Sequence, residues 1–226
     1  MDNSNSNKFS YELVDLGLPS GTLWADRNIG AEKITDYGQY FQWGKTEGYT
    51  PTADEYANGA LATESKKFTW TDYDLGNADG SNFKKYVTNS SYGTADNKNT
   101  LETVDDGVAN AKGIKPNMVM PTKKQFQELI ANTNNGWIAD YNGTGVNGYL
   151  FVSKTDDTKS VFIPAAGALG VGAVDGVGTY GIVWSSSLDE VICFSAWNLG
   201  FGDGDVSVGS DYRCYGHPLR GVVRQN

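Results

Sequence analysis

Apolar positions along the chain fall into short runs separated by glycine- and asparagine-rich stretches, a pattern that predicts many brief strands and few helices. Between residues 11 and 29, two such runs flank Pro19-Ser20-Gly21, which predicts two strands around a turn with Leu23 and Trp24 entering the core. The aromatic segment 36–44 is bounded by glycines and reads as extended chain. Residues 45–100 show only isolated anchors at Phe68, Trp70, Phe83 and Tyr86, so long surface loops pinned at those points are expected. Leu101, Val104, Val108 and Ala111 recur near helical spacing and predict a short helix, although Gly107 weakens it.

The clearest helix follows Met120-Pro121. Thr122 can cap it, Gln125 completes a capping box, and Phe126, Leu129 and Ile130 form one apolar stripe that ends by Asn134-Asn135-Gly136. Extended runs then predict strands at 149–153, 160–163 and 181–184, with 167–178 a flexible glycine-rich loop. Leu199 and Phe201 alternate in one arm, and Val206 and Val208 in another. The arms are joined by a turn at 202–205, and 219–223 closes the chain as a last strand. The reading is an α+β fold of short twisted antiparallel strands, about two helices and long loops. It forms one domain over 10–226, behind a disordered, Asn/Ser-rich lead at 1–9.

Composition removes several kinds of chemistry. Of 226 residues, 27 are Asp or Glu and 18 are Lys or Arg; the formal charge of −9 disfavours nucleic acid and anionic membrane as partners. One histidine, His217, rules out two-imidazole mechanisms and three-histidine metal sites, and Cys193 and Cys214 cannot hold a structural zinc alone. No apolar run approaches the roughly 20 residues of a membrane span. The start, MDNSNSNKFS, lacks a signal pattern, so the expectation is a soluble chain without membrane insertion, or one from which an export signal has been removed.

The blocks VDLGLPSGTLWADRNIGA (14–31), DYGQYFQWG (36–44), MPTKKQFQELI (120–130), NGYLFVSK (147–154), VFIPAAG (161–167), VWSSSL (183–188) and RGVVR (220–224) occur in an order that resembles a Bacteroidetes domain family, the Fibrobacter-type major paralogous domain. That resemblance implies a C-type lectin fold, related to formylglycine-generating-enzyme-like domains. It also implies that the first and last strands lie close together. The enzymes of that larger group need paired cysteines or several histidines that are missing here. Calcium-dependent lectins carry Glu-Pro-Asn or Gln-Pro-Asp, also missing, and Trp197-Asn198 is followed by Leu199 instead of Asp. The resemblance therefore implies no enzyme activity, cofactor or metal.

The tail is similar to a second group within this fold, the variable proteins of diversity-generating retroelements. It reads WSSSL-DEVICFS-AWNLGFGDGDVSVGSDY-R-CY-GHPLRGVVR (184–224), in which constant words alternate with positions the group leaves free. The free positions are 189–195, 200, 202, 203, 205, 207, 209–212, 214, 215 and 217. In that group, adenines of AAC or AAT codons are randomised while the last pyrimidine stays, which makes Lys, Gln, Glu, Met and Trp unreachable. Every residue at the free positions obeys this rule except Glu190, which marks either its own position as templated or the scheme as imperfect.

Bland readings stand beside these. Cys193 and Cys214 read as free thiols before a disulfide, and His217 as a rim residue. Asp203-Gly204-Asp205 lacks the further acids of a calcium loop and reads as an acidic turn, and Ser185-Ser186-Ser187 is no nucleophile elbow. The expected function is non-catalytic recognition of a protein or glycan receptor on a cell surface, by a phage tail tip or bacterial surface protein, through residues 184–217. The ligand-binding set is Asp189, Val191, Ile192, Cys193, Phe194, Trp197, Asp203, Asp205, Ser207, Asp211, Tyr212, Cys214, Tyr215 and His217. These are expected to converge on one exposed face, with Phe194, Trp197, Tyr212 and Tyr215 as anchors. Trp24, Trp43, Phe126, Trp184, Leu199 and Phe201 are expected inside, at on the order of 2 kcal/mol of burial each. The alternative is a carbohydrate- or adhesion-related surface module of fixed sequence.

Overall fold

The computed structural model describes residues 10–224; the lead at 1–9 lies outside the described residues. The chain enters through β1 (Leu13–Asp15), β2 (Thr22–Asn28), β3 (Tyr40–Phe41) and helix α1 (Ala53–Asn58). A long stretch held by single 3-10 turns leads to α2 (Lys123–Asn132) and directly into β4 (Thr133–Ile138). Then come β5 (Gly148–Ser153), β6 (Ser160–Pro164), β7 (Ala168–Gly170), β8 (Ala173–Asp175), β9 (Tyr180–Leu188), β10 (Ser195–Gly202), β11 (Val206–Tyr212), β12 (His217–Pro218) and β13 (Arg220–Arg224). The architecture is mixed α+β: three three-stranded antiparallel sheets (β1-β2-β13, β4-β5-β6 and β11-β10-β9) and two two-stranded ones (β12-β3 and β7-β8).

The two ends of the chain meet on one strand. β1 and β13 do not pair with each other; they flank β2, through Val14↔Trp24 on one edge and Val222↔Trp24 on the other. Arg220 fastens this arrangement from within. Its guanidinium, fully buried, donates to Asn28 Oδ1 (3.0 Å), Ala25 O (2.9 Å) and Phe162 O (2.9 Å), which joins the terminal sheet to β6. Burial pushes the Arg220 pKa down to about 9, so it stays a cation at neutral pH, satisfied by oxygen dipoles in place of a carboxylate.

Helix α2 starts where its capping box does. The Thr122 side chain accepts from Gln125 N, and Gln125 Oε1 accepts from Thr122 N at 2.9 Å. Phe126 and Leu129 are buried in one cluster with Trp24, Phe151, Leu199 and Phe201. The anchors expected inside, from Trp24 to Phe201, are all buried.

Three local expectations are corrected. The apolar spacing at 101–111 gives only a 3-10 turn, Thr103–Asp105, because the buried Asp106 carboxylate takes the N–H groups of Val108, Ala109 and Met120 and turns the chain away from a helix. Asn134-Asn135-Gly136, read as a helix end, lies inside β4, which follows α2 directly and pairs with the next strand, β5. The glycine-rich stretch 167–178 is not simply a loop, since it holds the β7-β8 hairpin.

Helix α1 lies in the stretch expected to be loops. It too has a capping box, Thr52 with Glu55, and ends on Gly59 in the left-handed region. The buried Glu55 carboxylate accepts from Thr52 N (2.9 Å), Ala62 N (2.8 Å), Ser65 Oγ (2.7 Å) and Tyr49 Oη (2.7 Å). Burial alone would raise its pKa, but these donors, Ser65 and Thr52 foremost, hold it at about 2 against an ordinary 4.5. A depressed carboxyl contributes stability in full above about 4.5 and loses it as the pH falls toward 2. Acidification over that window should therefore open residues 49–65 ahead of the sheets, seen as early loss of amide exchange protection. Glu55→Gln should remove that pH dependence; unchanged acid sensitivity in the variant would contradict the assignment.

Candidate functional site

The β10-β11 hairpin sorts its side chains by register. Leu199↔Val208 and Phe201↔Val206 face α2 and join the core cluster of Phe126 and Leu129. Gly200↔Ser207, Asn198↔Gly209 and Ala196↔Asp211 alternate with them and belong to the opposite face. Strand positions 200, 207, 209 and 211, expected to be free, thus share one face, whereas Ser195, Ser210 and Tyr212, also expected to be free, fall by register with Leu199, Phe201, Val206 and Val208 on the other.

The glycines of the tail divide in the same way. A Cβ on Gly200 or Gly209 would meet nothing nearer than Asn198 Oδ1, at 3.8 and 3.5 Å, and one on Gly202 nothing nearer than Thr179 O at 3.8 Å. None of the three has positive φ. The glycines expected to be constant are more restricted. Gly204 sits at φ +138°, a Cβ on Gly216 would lie 2.5 Å from the Phe68 ring, and one on Gly221 would lie 2.7 Å from Met118. Gly181, beneath the hairpin, would put a Cβ 2.2 Å from the Phe201 ring.

At the end of the hairpin away from its turn, aromatic rings form a continuous strip. Ring centroids run Tyr92–Phe194 5.8 Å, Phe194–Tyr212 5.5 Å and Tyr212–Tyr215 5.4 Å, and Trp70 meets Tyr212 at 5.9 Å. Tyr212 is 43% exposed, and Val191, at 82%, stands out from the neighbouring bend with Ile192. That bend is built by Asp189, whose carboxylate accepts from Val191 N and Ile192 N at 3.1 Å each. Trp70 and Tyr92 come from the 45–100 stretch. Trp70 was legible as an apolar anchor, but nothing in the sequence pointed Tyr92 to this place.

Arg213 ties the strip to that stretch. It is fully buried between the rings of Trp43 (4.9 Å), Tyr73 (5.5 Å) and Phe83 (4.5 Å). It donates to Tyr73 Oη (3.0 Å), Tyr86 O (3.3 Å), Cys193 O (3.0 Å) and Lys85 O (3.1 Å), and among the described residues it has no carboxylate partner. One residue inside the tail, at a position expected to be constant, thereby clamps both the 189–195 bend and the loop beneath it.

Four residues expected on the exposed face are buried. Asp189 turns inward to cap its own bend. Cys193 is covered by Thr88, whose Oγ1 lies 3.2 Å from Sγ. Cys214 packs with Tyr73, Phe83 and Val87, where burial pushes its thiol up to about 12. His217 lies under the open face, its ring 4.3 Å from Trp184 and its Nε2 3.1 Å from Asp211 Oδ2. Over the two cysteines the covering layer is a segment remote in sequence. Both cysteines are free.

Phe194, Tyr212, Tyr215, Val191 and Ile192 gather at one end, whereas Asp203 and Asp205 are exposed at the hairpin turn, roughly 20 Å away at about 3.4 Å per residue. Ser207 and Asp211 lie between. The expected compact patch is therefore a strip along the hairpin. Trp197 is set apart from it, on the α2 side, with Lys123 Nζ 3.1 Å above its ring.

Among the described residues, no three of His, Cys, Asp and Glu cluster as a metal site, and no helix is long and apolar enough to cross a membrane. No family model, curated protein or solved structure matches the chain.

Proposed function

We propose that this protein is a non-catalytic receptor-binding scaffold of the C-type lectin type, which displays a diversifiable surface along the β10-β11 hairpin and its aromatic end, as in the retroelement variable proteins its tail resembles. The observation that supports this reading is the division of the glycines. Gly200, Gly202 and Gly209, at positions a codon-limited mutator would change, have ordinary backbone angles and open space. At positions expected to be constant, Gly204 has a φ that strains any other residue, a Cβ on Gly216 would run into the Phe68 ring, and one on Gly221 would force the Met118 side chain to move. A sequence fixed for stability alone gives no reason for that match. The sharing of β2 by both ends of the chain accords with the fold, and the aromatic strip supplies the side chains that dominate recognition surfaces.

A fixed-sequence surface module is the second reading. Burial of Asp189, Cys193, Cys214 and His217 favours it, because variation at those positions would disturb packing. Sequencing the encoding locus separates the two. A reverse transcriptase gene beside a near-copy of the tail with AAC or AAT at the free positions supports display, and a lone gene supports the fixed module. On the display reading, the triple variant Gly200→Ser, Gly202→Ser, Gly209→Ser should fold with stability within about 0.5 kcal/mol of the parent, whereas Gly181→Ala should cost about 1–3 kcal/mol by overpacking Phe201. Urea denaturation of the two proteins checks this; comparable losses in both would remove the main support for display.

A further inference from the structure

Between the start of α2, the 20–22 turn and the 187–190 bend runs a groove of about 840 Å³, on the side of the hairpin that carries Trp197. Its volume lies in the range of small-ligand sites. Three cations, Lys123, Lys124 and Arg224, line it, and among the described residues none of them has a carboxylate partner. The two acids in the same wall are held by neutral donors. Glu128 accepts from Ser20 N (2.8 Å) and Ser20 Oγ (2.6 Å), and Glu190 from Asn99 Nδ2 (2.7 Å). The Lys123 ammonium rests on the Trp197 indole at 3.1 Å, with no hydrogen bond of its own. In a chain of net charge −9, this concavity holds unpaired positive charge.

We propose that the groove binds an acidic saccharide, with a carboxylated pyranose against Trp197. Each part of the wall matches part of that ligand. The C–H hydrogens on one face of a pyranose are electropositive and suit the negative face of an indole, the same attraction that now holds the Lys123 ammonium there. The carboxylate gives Lys123, Lys124 and Arg224 the counter-charge they lack, with the guanidinium offering a paired donor geometry. Thr100, Ser187 and Gln127 supply hydroxyl and amide groups for sugar hydroxyls. None of the large exposed hydrophobic residues lines the groove, which disfavours an acyl chain.

The groove also stands outside the diversifiable set. Of its lining residues only Glu190 falls at a free position, and Glu is the residue the codon rule cannot produce. Where the display reading holds, this site stays constant while the hairpin varies, which suits attachment to one recurring surface polymer beside a changing receptor.

The test is titration of the full chain with a tetrasaccharide of alternating glucuronic acid and N-acetylglucosamine, with the neutral N-acetylglucosamine tetramer, and with glutarate as a plain dicarboxylate. Calorimetry gives the affinities, and the Trp197 indole N–H resonance reports the place. The acidic tetrasaccharide should bind at least tenfold tighter than either control and shift the Trp197 signal. The double variant Lys124→Gln, Arg224→Gln should weaken it about tenfold or more, and Tyr212→Ala should leave it unchanged. Equal binding of the neutral tetramer or of glutarate, no binding at all, or full binding by the double variant would overturn the proposal. A loss in Tyr212→Ala would also overturn it, by placing the sugar on the aromatic strip. Because receptor display is tested through the locus and the glycine variants, either reading can fail without the other.

Discussion

Replacing Arg213 by methionine should destabilise the protein by about 3–5 kcal/mol. Methionine fills most of the volume between Trp43, Tyr73 and Phe83, so the loss comes chiefly from stranded oxygens. The carbonyls of Tyr86, Cys193 and Lys85 lose their donor in a site with little access to water, at roughly 1–3 kcal/mol for each one left unsatisfied. Cation attraction to three surrounding rings is lost as well. In a chain of this size such a loss lowers the thermal midpoint by roughly 10 °C. It should not be uniform: amides of 83–97 and 189–195 should exchange first, because Arg213 is what joins them. Arg213→Lys keeps the charge but cannot reach all four acceptors, and should fall between the parent and the methionine variant. A loss under about 1 kcal/mol in Arg213→Met would show that the clamp is redundant and that the aromatic strip is held by packing alone.

That clamp illustrates what the sequence could and could not disclose. Helix α2 was legible because its signals are local: Thr122, Gln125 and the Phe126-Leu129 stripe lie within eight residues. The hairpin was legible because Leu199, Phe201, Val206 and Val208 alternate. Helix α1 carried the same capping signature at Thr52 and Glu55, but six residues, Ala53–Asn58, are too few for an apolar period to stand out. The β3-β12 pair depends on a partner far along the chain, which local composition does not encode, and β4 was hidden because its turn-like Asn134-Asn135-Gly136 follows α2 without a break. The same limit explains the candidate site. A spacing pattern in the tail marks which positions alternate, and so the open-face positions Ser207 and Asp211 were found. It holds no information about the 66–97 loops that fold over Cys193 and Cys214, and so their burial was not foreseen. Trp197 shows the limit from the other side, for its neighbour Lys123 belongs to α2 and draws it into a different groove.

The second large effect is expected at Trp184. Its ring is fully buried, its Nε1 donates to Phe41 O at 2.9 Å, and its face lies against His217, which in turn meets Asp211 on the open side of the hairpin. Trp184→Ala removes one of the largest side chains in the core and leaves a cavity, at roughly 3–5 kcal/mol. It also leaves the Phe41 carbonyl without that donor and takes the floor from under His217. Stability and the presentation of Asp211 should therefore be lost together. Trp184→Phe keeps most of the packing but not the hydrogen bond, and should cost about half as much. The contrast with the serine triple variant is what gives this prediction its use. If display and scaffold are separate, substitutions on the open face leave the denaturation midpoint near the parent value, and Trp184→Ala moves it by roughly 10 °C. Should Trp184→Ala cost less than about 2 kcal/mol, the ring is not supporting the hairpin from below, and tolerance on the open face would have to arise from the hairpin itself.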